Sequence, residues 1–560
     1  MEERSKGTGI KTIAHFMFGV GVIDLIFIFL LFAIAQAGFL AGAPISRYNL
    51  IIALAFTAIA SILLSKYGPG QNGKANLIFA AAALVVFLVL LLVSGAIADS
   101  FYDVSYDGQW YHQGAIYLLM NGFNPIYQQT PGNFSGGLYI DHYPLGFETA
   151  SAVITSFTHH IEDGKLLNVF LMVTSFLLIF PIIFFAFPEI NQAFTLVVSL
   201  LCAFNPVCIY QSLSYYVDGA SASLLAILVF LLILAYKKLD RLLFIVISLV
   251  VMLSVNIKFF NLAYVIVLVV GFIIIAQIGH RTTRLHYLLV FSLLIGLLFG
   301  AHPYIANLVS HGTPFYPVNG LSPDMISGDT PANLAGKNSM EQLVISLFAR
   351  ADTSKSDALL KVPLTYTNEE LRSFTMTDPR VGGFGPMFSA VVILTILYLI
   401  LIPFIKLENA NPLIHVILPM CLLLIITVLI NPASWWARYV PQLWLVPILL
   451  MIDAWQRLRG MQKLFIFAMV MVLIMNIWLI ASSYYSYQEN TTYKINQQID
   501  EIRPLTQHKI PWLYCGAFPA VQDRYIEHGI NFTFTDKPPD DTWAPLAEVV
   551  DSYGQVMFYY

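Results

Sequence analysis

Charge is what this sequence has least of. Only 11% of its 560 residues are Asp, Glu, Lys or Arg, where a soluble domain carries roughly 25%. That shortage excludes a large soluble core, and the mean hydropathy of +0.72 points to a polytopic membrane protein. Cysteine is also scarce. Of four, Cys202, Cys208 and Cys421 sit in apolar runs and Cys515 stands alone in the tail, so no disulfide framework follows. The net charge of -4 is small and the basic residues form no patch, which argues against nucleic acid as a partner. The sharpest absence is local. Between Lys74 and Lys165 there is no Lys or Arg, yet the stretch holds Asp99, Asp103, Asp107, Asp141 and Glu148.

What is present in abundance is apolar runs. Counted in units of about 20 residues, they predict about thirteen transmembrane helices, at 13–41, 48–65, 76–98, 164–187, 192–209, 216–236, 242–256, 259–279, 285–308, 386–405, 412–430, 437–455 and 463–483. The first is too long for a cleaved signal peptide and reads as a retained span. Lys66, Lys74, Lys237, Lys238, Arg241, Arg281 and Arg284 fall on one side, whereas Arg47, Lys165, Lys258 and Arg438 fall on the other. By the positive-inside bias, the N-terminus is inside, and the loops at 99–163 and 310–385 and the tail at 484–560 are outside. The segment 143–160 would invert that bias downstream if it crossed, so it is expected to be a helix lying in the membrane plane. SMEQLVISLFARA reads as an amphipathic helix within the later loop. The tail alternates apolar PWLYCGA, polar VQDRYIEHG and apolar NFTFT, which predicts a small α/β appendage. The organisation is then 1–75, with two extra helices, 76–483 as the main transmembrane module, and 484–560. The expected class is an all-α polytopic membrane protein with that appendage.

A charge near the hydrocarbon is costly, of order 2.5–3.5 kcal/mol on insertion scales, so each is a candidate functional residue. Asp107 lies in Y-D-G-Q-W-Y-H, where Gly108 permits a tight turn and Trp110, Tyr111 and His112 offer a polar and aromatic wall. Asp103 lies one helical turn upstream, at a spacing that aims both carboxylates at one pocket. Asp218 opens a later span, where an N-cap is the competing explanation. Lys258 sits between two spans and Arg438 among Trp435, Trp436 and Tyr439. Snorkelling explains a lone cation there, but two at one mouth make a phosphate clamp, a role to which Arg is suited. His142, His302 and Tyr304 fall at the same level. The histidines can bind metal, donate to phosphate or hold structure. HGTPFYPVNG and DPRVGGFGP read as rigid turns. There is no zinc signature, phosphate-binding glycine loop or nucleophile elbow.

This combination resembles the GT-C superfamily of integral-membrane glycosyltransferases. Asp107-Gly108-Gln109-Trp110-Tyr111 resembles its D-E-x-x-Y type motif, and His142-Tyr143-Pro144-Leu145-Gly146 its H-P-P-L-G segment. The likeness continues through Asp218, Lys258 and the turn Gly312-Thr313-Pro314-Phe315-Tyr316-Pro317, covering roughly residues 76–450. Gly108 stands where the family has a second acidic residue, and Tyr143 where it has the first proline. The resemblance implies transfer of a sugar from a polyprenyl-phosphate donor to an acceptor hydroxyl of a glycan, lipid or protein on the outer face of a bacterial cytoplasmic membrane. Asp107, Asp103 and Asp218 would be the catalytic residues, with Asp107 the general base. Lys258, Arg438, His302 and Tyr304 would hold the donor phosphate, and Trp110, Tyr111, His112 and His142 the sugars. Asp103 and His142 would be the ligands of a divalent cation, Mg or Mn. Two rival readings are an O-antigen-type polymerase or ligase, whose working Arg and His residues are expected in the late loop, and a lipid-linked glycan transporter or flippase.

Overall fold

The computed structural model describes residues 2–68, 72–318, 328–405, 411–535, 537 and 544–560. Residues 319–327 of the long loop, and with them the end of HGTPFYPVNG, lie outside the described residues. The chain is predominantly helical, because a backbone in hydrocarbon must satisfy its own hydrogen bonds. Seven described helices are long and apolar enough to cross a membrane: Gly9–Leu40, Arg47–Tyr67, Gly73–Asp99, Ile161–Ala186, Asp218–Lys237, Phe259–Ile278 and Gly460–Gln507. Side chains set helix starts. Asn72 accepts from Ala75 N–H and Asp240 from Leu243 N–H, each satisfying an amide that the helix leaves open.

The other apolar runs fold differently from simple spans. Gln192–Ala203, Arg241–Ile257, Phe388–Phe404 and Ile414–Leu429 are helices of 10–17 residues. The run at 285–308 becomes two helices, Arg284–Phe299 and His302–His311, bent by 74°. The run at 437–455 opens with a tight turn at Pro441–Trp444 before Leu445–Arg457. Asp218–Lys237 is the central helix; seventeen of its residues are buried, and it packs on Leu166–Ala186 and Arg241–Ile257. Gly146–Thr158 departs from the expected interfacial helix. Gly146 through Thr155 are all buried, against the first helix and the Gln113–Met120 helix, so it has no broad exposed face. Its small residues, Ala150, Ser151 and Ala152, permit that enclosure. The amphipathic helix of the later loop is present as Ser339–Phe348.

The helix that begins at Leu464 does not stop where its apolar run ends; it runs 45 residues to His508. Beyond it lies a four-stranded sheet of β1 (Trp512–Tyr514), β2 (Thr533–Thr535), β3 (Pro545–Glu548) and β4 (Met557–Tyr559), in the order β2-β1-β4-β3. β1 pairs parallel with β2, as the intervening helix Val521–Glu527 requires, and antiparallel with β4. The core beneath this sheet includes Ile495, Ile499 and Ile502 of the long helix together with Tyr102 and Val104 of the first loop. The appendage is therefore built partly from residues some four hundred positions earlier.

Candidate active site

Asp107 begins a wide helical turn, Gly108–His112, in which Gln113 N–H donates to Gly108 O five residues back. Such widened turns recur at functional sites because they rotate the following side chains out of helical register. Gly108 is required by a close approach. A Cβ there would lie 2.1 Å from Ser105 Oγ and 2.2 Å from Asp103 Oδ2. The space a side chain would need is already filled by Asp103.

Asp218 is the first helical residue of its helix and makes no cap bond. Its carboxylate instead pairs with Lys258 and accepts from Gln211 Nε2 at 3.0 Å. Lys258 is one extended residue wedged between the helices Arg241–Ile257 and Phe259–Ile278, which turns its side chain towards Asp218. Its Nζ lies 4.0 Å from the centroid of the Tyr439 ring, where a cation is attracted by the ring face. Arg438 joins the set. Its Nη1 is 3.1 Å from Asp107 Oδ2 and 3.9 Å from Asp218 Oδ2, while its Nε is 3.1 Å from Asp378 Oδ1. Its guanidinium also sits over Trp436, 4.5 Å from the ring centroid. Three carboxylates thus share one guanidinium and one ammonium.

These groups line a cavity of about 310 Å³ with Trp110, Tyr111, His112, Tyr139 and Tyr143. Tyr111 stacks on Tyr139 with centroids 4.9 Å apart, and Trp110 meets Tyr139 edge-on at 5.1 Å. His112 Nδ1 and Glu148 Oε1 are 2.6 Å apart, leaving the buried Glu148 Oε2 without a hydrogen-bond partner among the described residues. That chemistry can hold a polar ligand against aromatic faces and neutralise an anion beside a carboxylate.

Of the candidates read from sequence, Asp107, Asp218, Lys258, Arg438, Trp110, Tyr111 and His112 meet at this cavity. Asp103, His142, His302 and Tyr304 do not line it. Asp103 lies in a stretch without regular secondary structure, ahead of the helical turn that carries Asp107. It is 1% exposed, and its oxygens accept from Ser105 N–H and Oγ and from Tyr215 N–H at 2.7 Å. Burial, and then the neighbouring Glu162, pushes its carboxyl up. His142 Nδ1 is 2.7 Å from Asn307 Oδ1, and Tyr304 donates to Val255 O. Asp103 and His142 are thus each engaged elsewhere, and no group of three or more His, Cys, Asp or Glu disposed to hold a metal occurs among the described residues. The expected metal pair does not fit.

Sequence reasoning missed Asp378 and Arg380. Asp378 accepts from Trp436 Nε1 at 2.7 Å and contacts Arg438; Arg380 pairs with Asp329 at 2.9 Å, and all three line the cavity. Burial pushes the Asp378 carboxyl up to about 6, with Arg438 opposing the rise and Asp107 adding to it. Both residues fall in DPRVGGFGP, whose charges at a Pro–Gly turn were the available signal. The sequence matches no family model and no curated protein.

Proposed function

We propose that the chain is an outward-facing glycosyltransferase of GT-C type, which moves a sugar from a polyprenyl-phosphate donor to an acceptor hydroxyl with inversion. In this reading the shorter apolar helices complete a set of about thirteen spans, and the cavity opens on the outer face of a bacterial cytoplasmic membrane. One observation carries the proposal: a first-loop carboxylate, Asp107, lies beside a two-cation clamp, Lys258 and Arg438, in an aromatic cavity. Asp107 takes the proton of the acceptor hydroxyl as general base, an effect typically worth 10²–10⁴-fold. The acceptor oxygen bonds to the anomeric carbon from the face opposite the phosphate. The carbon–oxygen bond to phosphate breaks, and its electron pair goes to the leaving phosphate oxygen. Lys258 and Arg438 neutralise the charge that develops there.

A carboxylate–guanidinium pair such as Asp107–Arg438 is also a structural device. A donor phosphate would compete with Asp107 for Arg438, freeing the carboxylate as the donor binds. Arg380 favours a second reading, the polymerase or ligase with a diphosphate-linked donor, since it brings a late-loop arginine to the same cavity. The test is release of free polyprenyl phosphate by purified protein from a panel of polyprenyl-phosphate sugars, with wild type compared to Asp107→Asn. Release by wild type alone supports the proposal. A parallel panel of diphosphate-linked donors is read by release of polyprenyl diphosphate. Release from that panel alone moves the assignment to the second reading, and release from neither class moves it to transport.

A further inference from the structure

The helix Asp218–Lys237 touches the candidate active site at its first residue. Its last residue, Lys237, touches a second cavity. Twenty helical residues separate the two sites by about 30 Å, the thickness of a bilayer's hydrocarbon core. The second cavity measures about 450 Å³ and lies between the first three helices and the ends of Leu166–Ala186 and Asp218–Lys237. Its wall is apolar, with Phe18, Val22, Ile23, Leu64, Phe79 and Leu234 among the lining residues. Its mouth carries Lys237 and Lys238, both exposed, and Arg241 follows close by, also exposed. Neither lysine is ion-paired to a carboxylate among the described residues; Lys237 Nζ has only Phe185 O, at 3.4 Å. Asp240, the acid at the mouth, is engaged at a helix start, where it accepts from Leu243 N–H.

Lysines at a membrane border anchor helices without any ligand. Anchoring does not call for an apolar cavity behind them, of a size typical of small-molecule sites. We propose that this cavity binds an anionic glycerophospholipid, with an acyl chain between the helices and the phosphodiester on Lys237 and Lys238. A basic mouth over an apolar pocket between transmembrane helices is the arrangement that selects an anionic headgroup attached to a chain. A phosphate without a chain would leave the pocket unfilled, and a zwitterionic lipid would place its own cation against the two lysines. The site is independent of the reaction proposed for the other face. It would add a lipid to the direct packing of the first helix on Leu166–Ala186.

The test uses the full-length protein in neutral detergent, titrated with phosphatidylglycerol or phosphatidylcholine of identical acyl chains and read by native mass spectrometry. Phosphatidylglycerol is expected to bind at one per chain, at least tenfold more tightly than phosphatidylcholine. The double variant Lys237→Ala/Lys238→Ala should reduce that preference below threefold. Gly19→Leu should lower binding of both lipids by filling the pocket. Its Cβ is accommodated, meeting only Phe79 Cε1, at 3.7 Å. Equal binding of the two lipids by wild type overturns the proposal, as does unchanged binding in either variant. Glycerol 3-phosphate, which has the headgroup phosphate but no chain, is the third ligand. If it binds as tightly as the lipid, the site is a phosphate site and the proposal fails. Gel filtration and helical circular dichroism confirm that each variant is folded.

Discussion

Arg438 Nη1 lies 3.1 Å from Asp107 Oδ2, which joins the first loop to a turn 331 residues later. The same guanidinium reaches Asp378 through Nε, so its two edges serve carboxylates from two different loops. A lysine carries one point of charge and cannot address both. Arg438→Lys is therefore expected to lower transfer on the order of 10²-fold, within the range for losing one charge-stabilising donor. Steady-state kinetics on folded protein decide this. Unchanged kcat and KM would reduce Arg438 to a membrane anchor.

Asp378 gives a pH dependence. Its carboxyl is pushed up to about 6 in the fold by burial, against about 3.9 in an unfolded chain. Between those values the native state holds a proton that the unfolded chain has released. Stability from this group is thus present below about pH 3.9 and lost as pH rises through about 6. Asp378→Asn removes the ionisation, so its thermal midpoint should exceed that of wild type at pH 7 and converge on it at pH 4. Parallel midpoint curves for the two proteins from pH 4 to 7 would refute the assignment.

Gly108→Ala tests how tightly the Asp107 turn is packed. Its Cβ would meet Ser105 Oγ and Asp103 Oδ2 inside van der Waals distance. Overpacking of this kind costs typically 1–3 kcal/mol. Activity should fall without loss of the protein, because the displaced group is the turn that presents Asp107. The check is specific activity alongside the thermal midpoint; wild-type values of both would contradict the packing described here.

Arg524 secures the appendage. It is 1% exposed, and its Nη2 donates to Asp103 O and to Glu162 Oε1, each at 3.1 Å. Removing one partner of a buried pair costs typically 3–5 kcal/mol where the other is left uncompensated. Glu162 keeps its pair with Lys165, so the cost here falls below that range. Arg524→Met should release the appendage to limited proteolysis after residue 508 while the membrane helices remain intact. Equal protease resistance in the variant and wild type would rule out that clamping role.

The sequence carried Asp107, Lys258 and Arg438 plainly, because a charge beside an apolar run needs a reason that can be stated from composition alone. It misplaced Asp103. A spacing of four suggests one helical turn, but the backbone there has no regular secondary structure and the partner that captures Asp103, Tyr215 N–H, lies over a hundred residues away. Asp378 was hidden in a Pro–Gly segment whose turn signals spoke louder than its charges. Helix existence was likewise readable, whereas the break at Gly300 and the enclosure of Gly146–Thr158 depend on neighbours that no local pattern reveals. The tail's strands were partly visible; its docking on Tyr102 and Val104 was not.

The helix Leu464–His508 is about 68 Å long at 1.5 Å per residue, more than twice the hydrocarbon thickness. A helix does not telescope. The sheet it carries is therefore held at a set distance from the apolar start of the helix, and Gln109 of the Asp107 turn donates to Asp551 O of the same appendage. The turn that carries Asp107 is thereby tied to a long post, and that spacing is a dimension of the protein rather than a property of the moment.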